Sequence, residues 1–126
     1  MIRVDSDTKT IHITRGDRGG INVTAQNYET GEKYYFPEGC TVSFIIVPQK
    51  GYTQGALLRK TVNVPTQTDT VYIPLLEEDT KIGNMIDKKE KFWYNVVVND
   101  DVTIIGSDQD GEKRVILYPE VGENNE

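Results

Sequence analysis

The run Glu90–Asn99, EKFWYNVVVN, constrains this chain more than any other stretch. It holds the single tryptophan and the longest unbroken series of strand-favouring residues in the 126-residue sequence. Aromatic and β-branched side chains fit a pleated, half-buried surface, so Phe92–Val98 reads as a central strand. Successive side chains point to opposite faces: Phe92, Tyr94, Val96 and Val98 share one side, Trp93, Asn95 and Val97 the other. Both sides are mostly apolar. Such a strand needs cover above and below, and Trp93 is expected in the core or between two sheets.

The remaining pattern is β nearly throughout. Thr41–Val47 is apolar on both sides towards its end and is the natural second central strand. Ile11 and Ile13 alternate with His12 and Thr14, and Ile21, Val23 and Ala25 with Asn22, Thr24 and Gln26. With the Arg15–Gly20 turn between them, the two runs predict a hairpin with one wet face. Tyr34, Tyr35 and Phe36 form a short aromatic strand or edge, stopped by Pro37. A loop at Pro48–Gly55 leads into Leu57–Val64, whose Arg59 and Lys60 suit an edge strand. Pro74 lacks the ladder donor, so Val71–Leu75 belongs at an edge or a strand end. Only Leu75–Ile82 looks helical, with acids early and Gly83 as a stop, and it has room for one or two turns. Asn99-Asp100-Asp101 is a tight turn that returns Val102–Ile105 as a hairpin partner, and Val115–Tyr118 is the last strand.

About eight or nine short strands with regular turn signals describe an all-β fold. The expectation is a single antiparallel β-sandwich, immunoglobulin-like or jelly-roll-like, with one short helical turn. One domain spans 1–126, with a flexible acidic tail at 122–126.

Charge narrows the function. Twenty acids against fourteen lysines and arginines give a formal charge of −6. An acidic domain repels phosphate backbones and anionic membrane surfaces, so neither nucleic acid nor membrane is an expected partner. Met1–Asp7 has no apolar core or cleavage pattern, which predicts synthesis in the cytoplasm without a signal peptide. Cys40 is the single cysteine, excluding an intrachain disulfide and a cysteine-based zinc site, and it reads as a small buried side chain. With His12 the single histidine, no multi-histidine metal site or paired-imidazole mechanism exists. No Ser-His-Asp spacing and no glycine-rich loop entering a helix is present, so no enzyme, cofactor or metal is expected.

Three stretches merit a chemical reading. Arg15-Gly16-Asp17 matches a cell-adhesion tripeptide, but its glycine and aspartate equally build a turn. Asp108-Gln109-Asp110-Gly111-Glu112 has the clustered carboxylates that hard cations want, yet lacks the bidentate glutamate of a full calcium loop, so a solvated turn is the expected state. The seven tyrosines are the most suggestive group. Tyr34, Tyr35 and Tyr52 fall at loops or strand edges, where a ring with a polar tip favours a protein or sugar interface. These three are the candidate binding residues, and a carbohydrate-binding module is one function they would serve.

The order of features resembles a known family. Ile11–Asp17 reads I-x-I-T-R-G-D, Tyr35-Phe36 precedes a turn, and Val42–Ile46 reads V-x-F-x-I. Glu78–Thr80 is E-D-T, Trp93–Val96 is aromatic-Tyr-Asn-Val, and Arg114–Glu120 is R-V-I-L-Y-P-E. This series is similar to small β-sandwich domains of phage and prophage tails of Gram-positive bacteria, most of all the N-terminal domain of baseplate upper proteins. The resemblance implies a structural component of a tail or baseplate that works through protein–protein contacts. Its partners would be other tail or baseplate proteins, with a homo-oligomeric state and assembly into a virion tail. Since the sequence ends at Glu126 without a receptor-binding extension, a stand-alone structural part is the expectation.

Overall fold

The computed structural model describes residues 1–5, 8–26, 30–49, 55–83, 88–100 and 113–119, with the backbone of Val102–Ile105. Their strands are β1 (Ile2–Val4), β2 (Ile11–Thr14), β3 (Gly19–Val23), β4 (Thr41–Val47), β5 (Leu58–Asn63), β6 (Val71–Leu75), β7 (Glu90–Val98), β8 (Val102–Ile105) and β9 (Arg114–Tyr118). The one helical element among them is a single 3-10 turn, Glu78–Thr80, within the segment whose pattern predicts a short helix.

Strand β7 is central, as its composition requires. It pairs with β4 along one edge, from Val42↔Val98 to Val47↔Trp93. On its other edge the first half pairs with β9 and the second half with β8. The large sheet runs β1-β2-β9-β7-β4-β5 with β8 beside β7, while β3 and β6 form a second, two-stranded sheet. Edge strand β5 carries Arg59 and Lys60, and Pro74 sits in β6, which has one partner; both positions follow the chemistry of unpaired edges.

The small sheet closes one face of the large one. Ile21 and Val23 of β3 and Val71, Ile73 and Leu75 of β6 join one core with Ile11, Ile13, Val42, Phe44, Ile46, Phe92, Tyr94, Val96, Val98, Val115 and Leu117. Every residue of β4 from Val42 to Val47 is buried, which confirms its reading as the second central strand.

Three findings depart from the sequence reading. The runs either side of Arg15–Gly20 do not pair as a hairpin: β2 lies between β1 and β9, and β3 pairs with β6, so the turn carries the chain from one sheet to the other. Pairing is antiparallel everywhere except β2–β9, which is parallel. A parallel neighbour needs a crossover, and nearly the whole chain intervenes between these two strands. Finally, Trp93 is half-buried on the face turned away from the small sheet and takes no part in the core. Alternation groups it correctly with Asn95 and Val97; the other group, with Phe92, meets β3 and β6.

Candidate interaction surface

The Arg15-Gly16-Asp17 turn is tied to the 3-10 turn by one buried hydroxyl. Gly16 adopts φ 85°, open to glycine at little cost. Its N–H donates to Thr80 Oγ1 at 2.9 Å, and that hydroxyl donates to the Asp17 carbonyl at 2.9 Å. Arg15 donates its guanidinium to the Ile82 carbonyl, and the Asp17 carboxylate pairs with the N-terminal ammonium. Both charged side chains of the tripeptide are thus engaged by their own chain, as a structural turn requires.

The candidate tyrosines separate. Tyr34 is half-buried, edge-on to Phe36 with ring centroids 5.0 Å apart, and its N–H donates to Ala25. Tyr35, the next residue, is 52% exposed. Tyr52 lies outside the described residues, as do the acidic turn Asp108–Asp110 and the 122–126 tail. A ring that the sequence reading passed over is the most exposed aromatic side chain described. Tyr72 is 55% exposed and lies across the backbone of Gly20, where a Cβ would collide with it. The signal was available in the alternation, since Val71 and Ile73 point inward and force Tyr72 out.

Buried polar groups act as fasteners. Tyr94 donates its hydroxyl to the Lys9 carbonyl at 2.7 Å, and burial pushes its pKa up to about 12. Lys9 holds φ 62° in the β1–β2 turn, so this bond pins a strained residue to the central strand. Cys40 is buried in the core, and burial raises its thiol pKa, which keeps it in the inert protonated form. Asp79 accepts from Lys60 at 2.7 Å and from the Leu76 N–H at 2.8 Å. Burial alone would raise its pKa, but those two hydrogen bonds and the charge of Lys60 hold it below the ordinary carboxylate value. Among the described residues no three His, Cys, Asp or Glu side chains gather where a metal ion would bind, and no helix is long and apolar enough to cross a membrane.

The outer face of the large sheet has a different character. The registers Arg3↔His12, His12↔Ile116 and Lys91↔Ile116 set four residues in one row across β1, β2, β9 and β7. In the next row, Tyr118 lies beside Thr14, and the Lys89 ammonium stands 5.8 Å from the Tyr118 ring centroid. His12 Nδ1 is 2.8 Å from the Tyr118 hydroxyl, and the two rings stack at 5.7 Å. On the other side of the row, Arg114 faces Trp93.

These observations define a class: an all-β sandwich with an apolar core between its two sheets. No family model, curated protein or solved structure matches the chain.

Proposed function

We propose that this chain is a structural component of a phage or prophage tail or baseplate, acting through protein–protein contacts. The observation that carries the reading is spatial. The segments that resemble tail β-sandwich domains are far apart in sequence, yet four of them form consecutive strands, β2-β9-β7-β4. Of the other two, Glu78–Thr80 is fastened to the Arg15–Asp17 turn through Thr80, while Tyr35-Phe36 lies off this path, with Phe36 bridged to Thr68. Most of the resembling segments therefore lie on one continuous scaffold. Light scattering on the purified chain tests this: a closed, symmetric oligomer is the expected result. A strict monomer at every concentration would overturn it.

A second reading, a carbohydrate-binding module, is favoured by the exposed Tyr35 and Tyr72 rings. It requires hits on a glycan array that vanish in the Tyr35→Ala and Tyr72→Ala variants.

A further inference from the structure

We propose that the outer face of the small sheet is a stacking platform for a neutral pyranose, with the Tyr72 ring as its surface and Asn22 as its polar partner. The inference rests on the carbohydrate-binding reading for its ligand class. It goes beyond that reading by naming the face, the charge of the sugar and the groups that hold it.

Alternation builds the platform. Ile21, Val23, Val71 and Ile73 turn into the core, so Gly20, Asn22, Tyr72 and Pro74 turn outward. Register sets Tyr72 directly across from Asn22, and Pro74 across from Gly20. The Tyr72 ring leans along the diagonal, over Gly20. A Cβ at that glycine would collide with the Tyr72 hydroxyl, Cζ and Cε1 together, so the ring turns a face to the backbone and not an edge. The contact covers a strand glycine, which helps the sheet, but it occupies one face of the ring only. Tyr72 remains 55% exposed, and its second face is open to a ligand. A ring already held in place loses little rotamer freedom on binding.

The surroundings select the ligand. The two strands, GGINV and VYIPL, contain no charged residue, and charges begin only beyond their ends, at Arg18, Asp69 and Glu77. Neither the Asn22 amide nor the Tyr72 hydroxyl has a hydrogen-bond partner among the described residues. An open aromatic face stacks on the C–H face of a sugar ring, while a free amide both donates to and accepts from its hydroxyls. A charged sugar would find no counter-ion on these strands. Size argues against a protein in the same place. Five paired residues on two strands make a face of about 17 Å by about 10 Å. That is about 170 Å², against about 800 Å² per partner in a specific protein interface.

The test is a glycan array of neutral glucose, galactose and N-acetylglucosamine oligosaccharides beside sialylated and uronic-acid glycans. An NMR titration of the full chain with the strongest neutral oligosaccharide follows. Binding to neutral glycans is the expected result. Tyr72→Ala should weaken it at least about tenfold, and Tyr72→Phe by less than about threefold, because the stacking face persists. Asn22→Ala changes an exposed residue and should weaken binding about fivefold, the equivalent of one hydrogen bond. It decides the matter if Tyr72→Ala misfolds. Hits confined to acidic glycans, or neutral hits that Asn22→Ala and Tyr72→Ala both retain, would overturn this face. If Tyr35→Ala abolishes those retained hits, the carbohydrate reading stands and moves to Tyr35. No hit of any kind would overturn both. Self-association that Tyr72→Ala abolishes, without glycan binding, would assign the face to a second copy and overturn the sugar as its occupant.

Discussion

The two faces of the large sheet come from the same strands, and alternate residues of one backbone have opposite fates. On β7, Phe92, Tyr94, Val96 and Val98 are buried on the inner face, while Lys91 and Trp93 have the outer alternation, exposed and half-buried. On β2, Ile11 and Ile13 lie in the core, while His12 stacks on Tyr118 at the surface. Strand propensity does not separate these sets, because Trp93 favours a strand as much as Phe92 does. The difference is the small sheet. Where β3 and β6 land, the aromatic rings are packed; on the other face Ser43, Ile45, Val47 and Asn95 are buried as well, while Trp93 is half-buried and Lys91 exposed. Burial by a second layer, more than residue type, decides which aromatic residues hold the fold.

The sharpest way to break that comparison is to truncate one aromatic residue on each face. Phe44 is fully buried, tilted against Tyr94 with centroids 5.6 Å apart. Phe44→Ala should cost about 3–5 kcal/mol, from lost transfer energy plus a cavity. Trp93→Ala removes a larger side chain but should cost only about 1–2 kcal/mol, because the residue is half-buried. Its indole N–H is also shielded with no hydrogen-bond partner among the described residues, and the truncation removes that unsatisfied group. Urea denaturation of the two variants gives the ratio. Equal losses would mean that the outer face is as closely packed as the inner one.

The outcome for Trp93 shows what was legible in the sequence. Strands β4, β7 and β9 were readable because runs such as TVSFIIV and RVILY suit only a pleated, buried surface. The edges were readable because Arg59, Lys60 and Pro74 are tolerated in few other places. Partners were not readable. Ile11–Thr14 alternates as a hairpin strand would, yet its neighbours are β1 and the distant β9, a choice made by long-range packing. The outer row was hidden for the same reason: Arg3, His12, Lys91 and Ile116 become neighbours only once register is fixed. The candidate tyrosines Tyr34 and Tyr35 were grouped together in the sequence reading, yet one is half-buried and the other exposed, and the exposure of Tyr72 went unnoticed although alternation implies it.

A smaller effect separates two neighbours on β5. Lys60 has the inner alternation and holds Asp79 at 2.7 Å, with side-chain exposures of 23% and 14%. Arg59 has the outer one and meets Asp100 at 3.1 Å, with exposures of 48% and 71%. Asp79→Asn should cost about 2 kcal/mol, since it weakens a shielded charge pair and the bond to the Leu76 N–H. Asp100→Asn should change stability by less than about 0.5 kcal/mol. The pH dependence follows from the depressed Asp79 pKa. Its contribution is present above the unfolded value of about 3.9 and is lost as pH falls through the lower folded value. Thermal melts from neutral to acid pH should therefore show a shallower decline in Asp79→Asn than in wild type. Parallel declines would place the acid sensitivity in other carboxylates.

A further modest effect at neutral pH concerns Tyr94, an inner-face ring whose hydroxyl reaches out to the β1–β2 turn. Tyr94→Phe keeps the packing and removes the bond to Lys9, a loss of about 1 kcal/mol. At alkaline pH the sign reverses. Burial raises the folded pKa to about 12, against about 10 in the unfolded chain. The protonated tyrosine therefore stabilises the fold fully below about pH 10, and this contribution drains away as pH rises towards 12. Phenylalanine has no proton to lose, so the variant starts lower and declines less, and the two stability curves should converge above pH 10. Tyr118→Phe on the outer face breaks only a half-exposed bond to His12 and should leave neutral stability within about 0.5 kcal/mol of wild type. If Tyr118→Phe proves the costlier change, the His12–Tyr118 pair is shielded in solution, and the outer face is covered where the free chain should leave it open.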